Sequence, residues 1–281
     1  MHKLLSVLLL LAVSFHASSQ FQVGAFAGLS NYQGDIVDKV YKQSKFAAGV
    51  NVGYAISPRL TLRAGVTFGK IAGADSLNSK PALQARNLSF ESALTEVALR
   101  AEFYSFNLES TRWSPYIFGG VAFYHFNPYT HDRLGNQVFL KPLSTEGQGL
   151  PGSPDSKPYS LTQLSIPFGG GIKYMLTDNF GLGFEIGLRK TFTDNLDDVS
   201  KNYADQAELL AARGQTAVDL SYRGDERIGG NPAYPGKNET RGSPKYKDYY
   251  YFTGLQITYH LPEGDRGNAK SRKGGYGCPV F

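Results

Sequence analysis

Three groups of side chains in this 281-residue chain are of types that do chemistry. His125, His131 and Asp132 lie close together in sequence, and histidine beside a carboxylate suits general-base or metal chemistry. No serine nucleophile motif accompanies them and their spacing is not that of a metal site, so a solvated loop pair is the preferred reading. Asp194, Asp197 and Asp198, in the run TFTDNLDDVS, could hold calcium with loop carbonyls. They suit a helix N-terminus equally well, where the dipole favours acidic groups, and capping is preferred on that ground. Gly169-Gly170-Gly171 has no helix after it and so makes no phosphate cradle. The expectation is a non-catalytic chain with no cofactor and no metal.

The elements that carry these residues follow a two-residue beat. Val66 and Phe68 alternate with Arg63, Gly65 and Thr67, and Phe184, Ile186 and Leu188 alternate with Glu185, Gly187 and Arg189. Consecutive segments set full charges opposite a continuous apolar face, with aromatic residues at their ends. That pattern fits strands whose apolar side meets lipid and whose polar side faces a lumen. Residues 1–19 read as a signal peptide, with Lys3 before an apolar stretch and small residues at Ala17 and Ser19. No later run is long and apolar enough for a membrane helix, so a spanning chain must close as a barrel. The 18 Tyr, 18 Phe and 32 Gly agree with aromatic girdles and a tight interior. The net charge of +5 is spread along the chain and gives nucleic-acid binding no support.

The fold expected is an eight-stranded antiparallel transmembrane β-barrel over residues 20–261. Strands are predicted at 21–31, 45–56, 60–70, 87–106, 113–126, 161–175, 180–192 and 249–261; the fifth has no assignable phase. Links at 57–59, 107–112 and 177–179 are short, whereas those at 32–44, 71–86, 127–160 and 194–247 are long. Short periplasmic turns and long extracellular loops are the rule for such barrels, which puts both ends of the barrel in the periplasm. A short helix is predicted in the last loop, from Asp198 to Arg213, with Gly214 as its cap.

An eight-stranded lumen is just wide enough for side chains. Arg63, Glu96, Arg100, Glu102, Lys173, Glu185 and Arg189 are assigned inward, and their nearly balanced signs point to cross-barrel ion pairs and a plugged lumen. A narrow ion pore is the alternative.

Residues 262–281 form a glycine-rich, mildly basic periplasmic tail carrying Arg266, Lys270, Arg272 and Lys273, and they finish on Cys278-Pro279-Val280-Phe281. Fully extended, the tail would reach about 65 Å. Cys278 is the only cysteine, in an oxidising compartment, so an intermolecular disulfide to a periplasmic partner is expected; an accidental free thiol is the alternative.

The start QVGAFAGLSNYQGDI, the run SPYIFGGVAFYHFNP, the loop TFTDNLDDVS, the segment RGSPKYKDYYYFTGLQITYHL and the CPVF end together resemble PorG-like outer-membrane proteins of type IX secretion. The resemblance implies a cell outer-membrane barrel without enzymatic activity, associated with a periplasmic ring of a lipoprotein and its partner (PorK- and PorN-like). Such a barrel would anchor or position that ring, supporting protein secretion and, in some species, gliding motility, with the tail as the contact. A stand-alone small barrel, either an OmpA-type structural protein or a lipid-modifying enzyme, is the second hypothesis.

Overall fold

Alternating segments that bury one face must pair along both edges, and here they do so all the way round. The computed structural model describes residues 21–108, 110–153, 157–245 and 247–261. Its strands are β1 (Phe21–Gln33), β2 (Lys45–Ser57), β3 (Leu60–Ala74), β4 (Ser89–Tyr104), β5 (Trp113–His131), β6 (Gln137–Phe139), β7 (Thr162–Met175), β8 (Phe180–Thr191) and β9 (Tyr249–His260). Every pairing is antiparallel, β5 pairs β7, and β9 returns to β1 in the register Gly28↔Gly254, which closes the sheet. The three-residue β6 folds back on the upper end of β5 and stands outside the barrel. The result is the expected eight-stranded antiparallel barrel. At the β1–β9 seam a Cβ on Gly254 would fall 2.6 Å from Gly28 Cα, so glycine at both positions permits the close approach.

Several strands outrun their sequence-based limits. β3 continues to Ala74 instead of stopping at Lys70, and β5 to His131 instead of Phe126. These extensions pair above the bilayer, as in Glu91↔Tyr129, where loops cover both faces and the alternation that marks a strand disappears. Strands of 12 to 19 residues exceed the roughly 9–11 that span a membrane.

Outward positions are apolar around the whole circumference. Phe46 is 68% exposed, Ile117 67% and Phe123 61%, with Val50, Phe68, Val97, Ile172, Phe184 and Ile257 completing the belt. β5, whose phase the sequence leaves open, points Tyr116, Phe118, Tyr124 and Phe126 inward and Ile117, Val121 and Phe123 outward. Aromatic residues occupy both of its faces, so hydrophobicity alone does not separate them. Tyr251 belongs to the outward set of β9 yet is buried, because Tyr41 of the first loop lies edge-on to its ring and donates its backbone N–H to the Tyr251 hydroxyl.

At one end the links are short (58–59, 105–112 and 176–179), and at the other they are long, so the barrel has its short-turn end in the periplasm. Among the described residues no helix is long and apolar enough to cross a membrane; strands make the crossing. A closed ladder with an apolar exterior is what hydrocarbon requires of strands, and the protein is a β-barrel of the outer membrane. The expected signal peptide (residues 1–19) and tail (residues 262–281, with Arg266, Lys270, Arg272, Lys273, Cys278 and Phe281) lie outside the described residues.

If lipid covers this belt, a charge placed on it should cost stability by depth. Val97→Arg, near mid-strand, is expected to lose roughly 2–4 kcal/mol. Leu134→Arg, on a loop turn, should change little; urea titrations in lipid check both.

Candidate functional site

The lumen is filled in tiers, and each tier follows from which residue a strand presents inward. All seven charged residues assigned inward from the sequence are buried there. In the middle tier Arg63 Nη2 lies 2.8 Å from Glu102 Oε2 and Arg100 Nη1 2.5 Å from Glu185 Oε1. Longer contacts, Arg63–Glu185 at 3.8 Å and Arg100–Glu102 at 3.7 Å, make the four a ring. One tier towards the cell surface, Arg189 forms a two-bond fork with Glu96, both bonds 3.0 Å. Phenols complete the carboxylates: Tyr104 donates to Glu102 at 2.9 Å, Tyr116 to Glu185 at 3.0 Å and Tyr250 to Glu96 at 2.8 Å. Arg100 and Arg189 also lie over Phe118 and Phe252, at 4.4 and 4.5 Å to the ring centroids. The cavity left between these groups is about 30 Å³, room for about one water, so this section is a plug.

Above the ion pairs the lumen turns apolar. Ile71, Phe90, Leu94, Tyr124, Phe126, Tyr250 and Phe252 pack together and continue into loop residues Ile36, Val37, Leu140, Leu196 and Val199. Tyr32 meets Phe90 edge-on at 4.9 Å, and Phe126 stacks on Tyr159 at 6.1 Å. The long loops therefore form a folded cap that shares one core with the upper barrel. The sequence reading missed this second core, because its members come from separate strands and loops and follow no common period.

The acidic run TFTDNLDDVS is the hub of that cap. Asp197 accepts from the Tyr32 hydroxyl at 2.5 Å and from Val199 N at 2.9 Å. Asp198 accepts from Thr145 Oγ1 at 2.5 Å and the Tyr159 hydroxyl at 2.7 Å, and Asp194 accepts from Ser200 Oγ at 3.0 Å. Asp248 accepts from Leu196 N at 2.8 Å and from the Tyr32 hydroxyl at 3.1 Å. Arg241 ties the third and last loops together through Glu146 at 3.1 Å and the Asp198 carbonyl at 2.5 Å. Arg86 holds Asp75 by a fork of 2.7 and 2.8 Å and donates to the Arg241 carbonyl.

These contacts correct the helix-capping assignment of Asp194, Asp197 and Asp198. The helices of this loop, α2 (Gln206–Arg213) and α3 (Gln215–Ser221), begin later than predicted, while α1 (Pro81–Arg86) lies in the second loop. Asp205 is the cap of α2, accepting from Glu208 N at 3.0 Å. The Asp205-x-x-Glu208 spacing, close to a capping box, was the available signal. Gly214 ends α2 as expected, at φ +81°. No group of three or more potential metal ligands occurs among the described residues. His125, His131 and Asp132 are not brought into one site. His125 Nδ1 meets Thr162 Oγ1 at 2.9 Å, His131 lies against Tyr129, and Asp132 accepts from the backbone of Leu134 and Asn136 in its own turn. Gly169-Gly170-Gly171 lies within β7, paired to Gly187, Ile186 and Glu185.

Glu96→Gln would leave Arg189 buried without its carboxylate, an expected loss of about 3–5 kcal/mol in urea unfolding. Adding Arg189→Met should recover most of that loss, because the stranded charge goes with it. In the cap, burial pushes the Asp198 carboxyl up to about 6 in spite of Arg241, Thr145 and Tyr159. Burial likewise raises Asp197 and Asp248, whose charges also oppose each other. Folded values above the unfolded value of roughly 3.9 mean that the protonated acids favour the folded cap. This contribution is full below about pH 4 and is lost as pH rises through about 6. Amides around residues 194–200 should therefore be better protected near pH 5 than near pH 7.5, after correction for intrinsic exchange. Asp198→Asn should shrink the difference.

Among solved structures, the chain is similar to Neisserial surface protein A (12% identity, TM-score 0.44, covering 87% of this chain and all of that one). It is also similar to a major outer membrane protein from Thermus thermophilus (14%, 0.44, 87% and 100%). OprG from Pseudomonas aeruginosa gives 11%, 0.40, 87% and 97%. A comparison with curated proteins finds no match. The sequence model described as "Domain of unknown function (DUF6089)" matches residues 2–137 and 149–213, well over half of the chain. A β-barrel of the outer membrane, plugged by ion pairs and capped by its loops, this chain belongs to the DUF6089 family.

Proposed function

We propose that this protein is a non-catalytic subunit of a type IX-like secretion machine, anchoring or positioning a periplasmic lipoprotein ring through residues 262–281. The observation that carries the reading is the filled lumen: with about 30 Å³ at its centre, the barrel has no room for cargo, and its work falls to its surfaces. On the periplasmic side the described residues offer three short turns and little else to grip. The segment beyond Leu261 is the natural handle, with Arg266, Lys270, Arg272 and Lys273 meeting an acidic partner surface and Phe281 adding an apolar contact. Cys278, as its thiolate, would attack a disulfide of a PorK- or PorN-like partner, forming the mixed disulfide and expelling the partner's other sulfur as a thiol. The order of motifs shared with PorG-like proteins supports the same assignment.

The folded cap favours a second reading, a stand-alone small barrel that is structural or lipid-modifying, because a periplasmic tether does not require so much ordered extracellular surface. Deleting residues 262–281 separates the two. Under the first reading the shortened barrel inserts while secretion fails and the ring no longer co-purifies. Under the second, secretion is unaffected. On non-reducing gels Cys278→Ser should abolish a higher-mass species formed by the wild type; identical mobility ends the disulfide assignment.

A further inference from the structure

Among the described residues the buried charges of the lumen do not balance. Four cations, Arg63, Arg100, Arg189 and Lys173, face three carboxylates, Glu96, Glu102 and Glu185. Each arginine has a carboxylate within ion-pair distance. Lys173, 1% exposed, has none among the described residues. Its Nζ donates to Gln22 Oε1 at 3.2 Å and lies 5.2 Å from the centroid of the Tyr104 ring. Neither neighbour carries a compensating charge, and a buried ammonium without one is costly.

This ammonium borders a cup of about 450 Å³ at the periplasmic mouth. The cup is lined with donors, including the hydroxyls of Ser57, Thr61 and Thr111, and among the described residues Asp178 is the one carboxylate in its wall. His260 Nε2, in the same wall, is buried with no hydrogen-bond partner, and so is Thr258 Oγ1 on the next inward position of β9. An uncompensated cation, orphaned polar atoms and a cavity of ligand size occur together.

We propose that the periplasmic cup binds one small oxyanion, a carboxylate or phosphate group, as the counter-charge of Lys173. One negative charge there brings the lumen to neutrality and gives the ammonium a charged acceptor. The site is built from described residues and does not rest on the secretion reading.

The test is the melting temperature of the full chain in an uncharged detergent at neutral pH, in sodium phosphate, acetate or chloride at matched ionic strength. Phosphate or acetate should raise it saturably over chloride, by roughly 2–4 °C. Lys173→Met should abolish the rise. Gln22→Glu is the decisive variant, because it places a carboxylate beside Nζ: it should melt higher than wild type in chloride and gain nothing from either oxyanion. Arg59→Gln, on the exposed turn outside the cup, should respond as wild type does. Repeating the titration with phosphatidylglycerol added identifies the source: a lipid headgroup at the site would pre-empt the phosphate effect, and a free anion would not be displaced. Equal melting temperatures in all three salts, or an oxyanion effect undiminished in Gln22→Glu, overturns the proposal.

Discussion

Hydrocarbon supplies no hydrogen-bond partner, and most of this structure follows from that single deficit. Each strand must satisfy its backbone on both edges, so the sheet closes through the β1–β9 seam. Closure at eight strands fixes a narrow interior. The outward half of every strand is then free to be apolar, and the inward half must be filled with whatever the alternation delivers. Charges delivered into so small and dry a space have to find each other. Arg63, Arg100, Glu102 and Glu185 do so as a ring, and Arg189 and Glu96 as a fork. The plug is therefore a consequence of wall geometry as much as a feature added to it.

The same argument explains why the plug is layered. Phenols from Tyr104, Tyr116 and Tyr250 donate to the three carboxylates and leave fewer oxygen lone pairs unsatisfied. Tyr250 belongs to two tiers at once, since its hydroxyl reaches Glu96 while its ring packs against Tyr124 and Phe252. Through it the ionic section is continuous with the aromatic section and then with the loops. The cap is held from below by that apolar core and from within by the Asp197, Asp198, Asp248 and Arg241 contacts. A barrel built this way is filled through its middle and covered by folded loops above, and its periplasmic end retains an open polar cup.

How far the sequence reached can be judged strand by strand. Where one face of a segment is lipid and the other polar, as in β2, β3 and β8, the period of two fixes both existence and orientation. Where both faces are aromatic, as in β5, it fixes existence but not phase. Above the membrane, in residues 71–74 and 127–131, the loops cover both faces and the pattern is erased, so the boundaries fall short. The aspartates of TFTDNLDDVS show the same limit for a site. An acidic residue before a helical stretch looks like a cap, whereas Tyr32, Thr145 and Tyr159 claim these carboxylates from positions far away in the chain.

Local alternation, turn chemistry and loop lengths thus determined the barrel, its strand number, its orientation and the inward set of seven charges, because each of these depends on neighbours in sequence. The pairing among those charges, the surplus of one cation at Lys173 among the described residues, the second core and the stitched cap were decided only by tertiary structure. They depend on contacts between residues separated by as many as 216 positions, as between Tyr32 and Asp248, and no periodicity encodes a contact made across a lumen.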